Sequence, residues 1–386
     1  MEDSLRSDYL IFGSPIIEDD EINAVVNTFK SKWIGTGPKV NEFEKRFAEY
    51  VGVKYAVAVS SCTAALHLSV IALGIKPGDE VLVPAMTFAA TANAVIHANA
   101  IPVLVDVDKR KMTIDFEDIE RKITNKTKAI IPVHFAGRPV DLDKLNSIAK
   151  KYRLKIIHDA AHAVETEFKG KKVGTYNDIA CYSFYVTKNI TTIEGGMVTT
   201  NDEELANSIK INALHGMDKD AWKRFSDDGY KHYQVVFPGF KYNMTDVQAT
   251  VGIEQLKKVE KFAKRRTEVW NIYNRELSKL PLLLPPAVPS DSRHAFHLYT
   301  IMLDIDKVKI TRDQLLQKLH EMKIGTGVHY ISLHLHDFYK NTYHYKEYDF
   351  PNSKYISDRT LSIPLSGNLT DSDVEDVISS LKLCLS

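Results

Sequence analysis

Strand-length apolar runs alternate with segments of helical period through the first two-thirds of the chain, and this restricts the fold more than any other feature. KYAVAVS (54–60) runs into CTAALHLSVIALGI, DEVLVPA (79–85) into TFAATANAVIHANA, and IPVLVDV (101–107) follows. KAIIPVHF (128–135), the helical LDKLNSIAKKY (142–152), LKIIHDA (154–160), DIACYSFYV (178–186) and GGMVTTN (195–201) continue the series. Near-continuous apolar strands separated by helices describe an α/β class, a mostly parallel sheet covered on both faces. In such sheets ligands collect where strands end.

The pattern changes after Asn201, where helix-like ELANSIKINALHG precedes the polar, aromatic DAWKRFSDDGYKHYQVVFPGFKYN and an amphipathic segment from Thr245 to about Leu277. Thr245 and Gln248 stand at capping-box spacing, which predicts a helix start there. The Pro-rich LPLLLPPAVPS (280–290) cannot continue a helix and reads as a linker. The remainder has a mixed pattern and closes with helix-like DSDVEDVISSLKLCL. The expected organisation is a large domain over 1–280 and a small α+β domain over 281–386.

Composition removes several classes of function. Fifty basic residues balance fifty acidic ones among 386, so no whole-molecule field draws in a polyanion, and nucleic acid is not an expected partner. Cys62, Cys181 and Cys384 are too few and too scattered for a disulfide framework or a Cys-rich zinc site, which fits a reducing cytoplasm. The acidic start MEDSLRSDYLIFG lacks the order of a signal peptide. Two uncharged stretches, 55–75 and 81–105, are long enough for membrane spans. His67 in the first, and Pro84, Asn93, His97, Asn99 and Pro102 in the second, are awkward at a bilayer centre, so both read as strand–helix pieces of a core.

Four constellations carry chemistry. Ser60-Ser61-Cys62-Thr63 sits at a strand-to-helix junction, where a helix N-terminus and hydroxyls can cradle a phosphate; an ordinary N-cap is the alternative. No GxGxxG or GxxxxGK[ST] is present, which weakens nicotinamide and P-loop readings. His158-Asp159-Ala160-Ala161-His162 ends the LKII strand; a carboxylate there can pair with a ring nitrogen of a flat ligand, or simply cap a turn. Lys188 follows an apolar strand in a segment with no other charge from Cys181 to Ile193. That setting desolvates an amine, lowers its pKa and suits Schiff-base formation, against the alternative of an ammonium reaching water. The offset from Asp159 fits a return to the same sheet edge, with Glu194-Gly195-Gly196 just beyond. Finally, His329, His334 and His336 lack acidic or Cys partners at a familiar spacing, so no metal site is expected and pocket or structural roles are favoured.

Taken together, GTGPKVNEFEKRFAEYVGV, HDAAHAVE, SFYVTKNITTIEGG, KYNMTD, RHAFHLY and IGTGVHY resemble the pyridoxal-phosphate-dependent sugar aminotransferases of the DegT/DnrJ/EryC1/StrS family nearly end to end. The likeness is greatest to members that aminate C4 of UDP-4-keto sugars, among them UDP-4-amino-4-deoxy-L-arabinose and spore-coat polysaccharide aminotransferases. It implies fold type I of the pyridoxal 5'-phosphate enzymes: a large, mostly parallel-sheet domain, a small C-terminal domain and a homodimer with shared active sites. By that resemblance Lys188 holds the cofactor covalently and Asp159 pairs with its ring nitrogen. Phe88 stacks on the ring, Cys62, Thr63 and Ser183 lie at the phosphate, and His162 stands beside the reactive face. Asn243 reaches the phosphate of the partner subunit, and His329 lies near the donor or sugar pocket.

The implied reaction is ping-pong. L-glutamate delivers its amino group and leaves as 2-oxoglutarate, then a UDP-linked 4-keto sugar receives it, in cell-surface polysaccharide or lipopolysaccharide synthesis. Lys188 serves as base and acid in both halves. Same-fold 3-dehydratases carry histidine at the lysine position, so Lys188 argues against them; a non-catalytic binding protein on this fold is the other alternative. Tyr185, Trp222, Arg224, Tyr330 and His334 are candidates for the sugar pocket. Tyr185 stands where arabinose-modifying relatives have histidine, which favours a 6-deoxy-N-acetylhexosamine over a pentose.

Overall fold

The computed structural model describes residues 6–176, 179–218 and 233–385. Helices α1 (Asp19–Ser31) and α2 (Pro38–Val51) come first. Glu18 and Glu21 cap α1 reciprocally, while Pro38 opens α2 and Gly52, at φ 84°, closes it in the left-handed region that favours glycine.

The alternating region then forms β1 (Tyr55–Val59), α3 (Cys62–Ala72), β2 (Glu80–Pro84), α4 (Ala89–His97), β3 (Ile101–Val105), α5 (Phe116–Lys122), β4 (Thr127–Ile130), α6 (Leu142–Tyr152) and β5 (Lys155–Asp159). A two-residue ribbon, β6 (Glu167–Phe168) and β7 (Lys171–Lys172), precedes β8 (Ile179–Ser183), β9 (Gly196–Thr200) and α7 (Glu203–Asn212). Seven strands join in the order β1-β9-β8-β5-β4-β2-β3. Only β9 runs against its neighbours β1 and β8; the remaining pairings are parallel. The mostly parallel sheet read from the sequence is therefore present. KAIIPVHF yields a shorter strand than predicted: Pro132 offers no N–H to the ladder, and the chain turns at Phe135–Gly137 with Ala136 at φ 57°.

The uncharged stretches 55–75 and 81–105 are the β1–α3 and β2–α4–β3 units of this layer, and among the described residues no helix is long and apolar enough to cross a membrane. α3 is buried nearly all round because it lies inside the layers, with Ala65, Leu66, Leu68 and Val70 at most 1% exposed.

Helix α8 (Asp246–Leu277) starts at the Thr245–Gln248 capping box, as the sequence predicts. Its C-terminal half sends Val269, Trp270, Tyr273 and Leu277 into a second core. That core covers an antiparallel sheet of β10 (Leu282–Leu283), β12 (Tyr299–Leu303) and β13 (Thr360–Ile363), while the intervening β11 (Ser292–Arg293) pairs with β6. The Pro-rich stretch is thus more than a linker, since Leu282 and Leu283, between Pro281 and Pro285, pair with Leu303 and Met302. Residues on both sides of position 281 serve each core: Leu10 packs on the second, and Leu333, Tyr339 and Phe350 belong to the first.

Candidate active site

The sheet brings the two central residues together through strand order. β5 and β8 are parallel neighbours with Asp159 opposite Cys181, so the carboxylate emerges beside the strand whose continuation carries Lys188. A tight turn follows β8, with the Lys188 N–H donating to the Tyr185 carbonyl at 2.9 Å, and the chain returns where the Phe184 N–H meets the Gly195 carbonyl at 2.9 Å.

Asp159 is buried, and its carboxylate accepts from the Thr91 hydroxyl at 2.8 Å and the Ala161 N–H at 3.1 Å. Burial raises its pKa, and these two donors oppose that shift. Lys188 is half-buried, and desolvation of its amine pushes the pKa down to about 8 against the opposing pull of Asp159. A lysine so placed exchanges protons near neutrality, unlike one at the ordinary value of 10.5.

The third component is the N-terminus of α3. Ser61 caps it by accepting from the Ala64 N–H, and the first-turn N–H groups have no helical carbonyl to reach. β9 makes this start possible, because Gly196 pairs with Val59 on one side and Ser183 on the other. A β-carbon there would stand 2.4 Å from the Ser61 carbonyl carbon and 2.6 Å from the Cys62 nitrogen. Gly196 is therefore a steric requirement of the helix-start geometry, whereas a β-carbon at Gly195 would meet the Thr192 side chain instead. The ordinary N-cap is present, and a phosphate cradle at the same helix start is compatible with it.

A cavity of about 480 Å³ opens over this edge. Cys62, Thr63, Phe88, Asp159, Ser183 and Lys188 line it, as do His162, Tyr185, His329 and Tyr330. Phe88 leaves 61% of its surface free, which offers a ring face to a flat ligand. The Ser183 hydroxyl accepts from the Tyr185 N–H at 3.4 Å, so its own hydrogen is available to a ligand. Burial holds the Cys62 thiol well above its usual pKa, so it is a neutral wall rather than a nucleophile. Histidines 162 and 329 are both held neutral, His162 well below the usual imidazole value and His329 down to about 4, by burial first and by the Lys188 charge second.

One expectation is placed differently, and another concerns the partner subunit. Asn243 does not line the cavity of its own chain; its amide donates to the Thr36 hydroxyl at 2.5 Å, and its backbone bridges to Val59. His334 does not line it either, because one ring nitrogen meets the Ser332 hydroxyl at 2.9 Å and the other the Glu347 carbonyl at 3.0 Å, which makes it a packed structural group. Trp222 and Arg224 lie outside the described residues. Sequence reading missed Thr91, whose only signal is its place one turn after Phe88, and His297, which stacks on His162 with ring centroids 4.3 Å apart.

The residues fit pyridoxal phosphate, the cofactor implied by the resemblance. A buried carboxylate suits a protonated ring nitrogen, a neutralisable amine suits an aldehyde, a helix start with Thr63 and Ser183 suits a phosphate, and Phe88 suits the ring face. Glu194 also lines the cavity, at its exposed rim.

Comparison with known proteins agrees with this geometry. The model of the DegT/DnrJ/EryC1/StrS aminotransferase family matches residues 15–382. An uncharacterised protein of Methanocaldococcus jannaschii is 50% identical over 382 residues, covering 99% of both chains. The spore coat polysaccharide biosynthesis protein SpsC of Bacillus subtilis is 46% identical over 378 residues, covering 98% of this chain and 97% of its own. Among solved structures, a sugar aminotransferase of Streptococcus pneumoniae, Spr1654, superposes in its PMP-form with a TM-score of 0.91 at 32% identity, covering 97% of each chain. Its PLP-form superposes at 0.90.

Proposed function

This chain belongs to the DegT/DnrJ/EryC1/StrS aminotransferase family and is a pyridoxal-phosphate-dependent sugar aminotransferase; on that premise we propose that it moves the amino group of L-glutamate to C4 of a UDP-linked 4-keto sugar, a 6-deoxy-N-acetylhexosamine, for a cell-surface polysaccharide. The observation that carries the reading is a desolvated amine with a pKa of about 8, one strand from a buried carboxylate, under a cavity wide enough for cofactor and sugar together. SpsC, a spore coat polysaccharide biosynthesis protein, supports the polysaccharide end.

When bound, pyridoxal phosphate supplies an electron sink that makes the donor's Cα–H acidic. Lys188 Nζ, neutral in a useful fraction near pH 8, takes that proton and later returns one to sugar C4. Asp159, its direction fixed by hydrogen bonds from Thr91 and Ala161, would keep a proton on the cofactor's ring nitrogen. The α3 start, Thr63 and Ser183 would anchor the phosphate, and Cys62 and Phe88 would wall the ring. Neutral His162 and His329 leave Lys188 as the group that titrates near neutrality, while Tyr185 and Tyr330 provide hydroxyls and ring faces for the sugar.

A homodimer is part of this proposal, with Asn243 serving the partner's phosphate. α1 supports it, since the helix buries Glu21 and Thr28 yet exposes Ile22, Val26 and Phe29. Three free, buried cysteines are consistent with work in the cytoplasm.

The test is to supply UDP-linked 4-keto-6-deoxy-N-acetylhexosamine and UDP-linked 4-keto pentose separately with L-glutamate and follow 2-oxoglutarate. Release with the hexosamine supports the assignment. Turnover confined to the pentose, or no 2-oxoglutarate with either, refutes it.

A further inference from the structure

Behind the cavity wall a largely buried polar chain, with Asn189 half-buried, runs from α8 to the rings that face the sugar site. Arg266 contacts the Glu165 carboxylate, with neither side chain more than 3% exposed. The Asn189 amide group donates one hydrogen to Glu165 Oε2 at 2.8 Å and the other to the Ala295 carbonyl at 3.0 Å, and Arg266 Nε also donates to that carbonyl, at 3.3 Å. Both acceptors on Asn189 lack a hydrogen to give, so its amide has only one workable orientation. Its Oδ1 is then an acceptor, and His297 Nδ1, 2.9 Å away, must carry the proton.

The same logic fixes the next ring. The backbone N–H of His297 donates to the Ala136 carbonyl at 2.9 Å, and the Ala136 N–H donates to His162 Nδ1 at 3.2 Å, so one residue, Ala136, ties down both the His297 backbone and the His162 ring. Their rings stack at 4.3 Å between centroids with 35° between planes. With Nδ1 accepting, a neutral His162 carries its proton on Nε2, which faces the Tyr330 hydroxyl oxygen at 3.4 Å. That oxygen accepts, and the Tyr330 hydrogen is left to donate elsewhere. Tyr330 lines the cavity.

We infer that Asn189 and His297 are positioning residues which, anchored by Glu165 and Arg266, fix by ring contact the placement of His162, whose Nε2–H form the Ala136 N–H sets, and so turn the Tyr330 hydroxyl hydrogen toward a sugar oxygen in the cavity. Asn189 therefore acts on the sugar half of the reaction through two imidazoles, without touching substrate. The placement also explains why this asparagine directly follows Lys188: the anchor that sets the His297 tautomer fixes the backbone of the lysine turn. The consequence for catalysis rests on the reading that the cavity takes a keto sugar, whereas the tautomers do not.

Nitrogen NMR of histidine-labelled protein, cofactor-loaded and stripped, at pH 7.5 reads the tautomers, with His162 and His297 assigned by single replacement. His297 in the Nδ1–H form and His162 in the Nε2–H form are expected in both preparations; either ring in the other tautomer, or cationic, overturns the inference without bearing on the sugar substrate. The kinetic arm is a cycle of His297→Phe, which keeps a stacking ring, with Tyr330→Phe. Each single change should lower kcat in the sugar half-reaction about tenfold with the glutamate KM within about twofold, and the double change should cost no more than the larger single one. Multiplying losses would mean that the two residues act separately and would refute the coupling. If His297→Phe loses its circular dichroism, or if no keto sugar is turned over, the wild-type tautomers alone decide.

Discussion

Gly196 presses on the Ser61–Cys62 peptide, leaving no room for even a methyl group: its β-carbon would stand 2.4 Å from the Ser61 carbonyl carbon. The neighbour is backbone at a helix start and cannot rotate away. Gly196→Ala must displace the α3 N-terminus, the element that would hold the phosphate. Overpacking of this kind costs about 1–3 kcal/mol, so cofactor affinity should fall about tenfold or more. Gly35→Ala, where nothing lies within 4 Å of the new atom, is the control. Equilibrium dialysis against pyridoxal phosphate compares the two; equal affinity in both would show that the close approach is irrelevant to the cradle.

Lys188 should titrate on its own in the cofactor-free protein. With a pKa of about 8 rather than 10.5, roughly a quarter of the amine is neutral at pH 7.5 instead of about a thousandth. Labelling of Lys188 by an amine reagent, read by mass spectrometry, should rise with a midpoint near pH 8. Asp159→Asn removes a charge that favours the ammonium, so the midpoint should move lower. The linkage has a definite sign: between about pH 8 and 10.5 the unfolded chain holds a proton that the folded one has released, so stability rises with pH across that window by about 1.4 kcal/mol per unit. Lys188→Met should flatten that rise, and a midpoint near 10.5 in the labelling curve would contradict desolvation as the cause.

The alternation of apolar runs made the sheet and the Asp159–Lys188 edge legible, because strand period and strand ends are local properties of sequence. Thr245 and Gln248 were equally legible, since a capping box is written within four residues. His334 was not: its partners, Ser332 and Glu347, meet only when the chain between them folds back, and nothing in HLH distinguishes a packed histidine from a pocket one. Thr91 and His297 were missed for the same reason, as their contacts to Asp159 and His162 span 68 residues in one case and cross from β5 to the edge of β12 in the other. The role of Gly196 became clear only from the approach of β9 to α3.

α1 carries an inverted pattern. Ile22, Val26 and Phe29 stand at helical spacing on one face and are 52%, 44% and 56% exposed, with Trp33 and Ile34 just beyond. A contiguous apolar stripe of this kind marks a surface that pairs. Val26→Lys with Phe29→Glu should convert a dimer to monomer in sedimentation velocity at micromolar concentration and abolish turnover, since the proposed site borrows Asn243 from the partner. A wild-type monomer with full activity would remove the dimer from the proposal.

Glu165 and Arg266 form an ion pair at most 3% exposed, whereas Arg293 and Glu260 form one on the surface, 35% and 55% exposed. Their loss should read very differently. Glu165→Ala strands a guanidinium away from water and also removes the acceptor of Asn189, so about 3–5 kcal/mol of stability should be lost. Glu260→Ala leaves Arg293 solvated and should cost about 1 kcal/mol or less, diminishing further at high salt. Replacing both buried partners, as Glu165→Leu with Arg266→Met, should recover a large part of the Glu165→Ala loss, because no uncompensated charge remains. Urea denaturation of the three variants at low and high salt makes the comparison. Recovery of stability in the double variant without recovery of the sugar half-reaction would separate what the pair does for folding from what it does for Asn189. If Glu165→Ala and Glu260→Ala were equally mild, water would have to reach Arg266, and the anchor of the Asn189 amide would lose its basis.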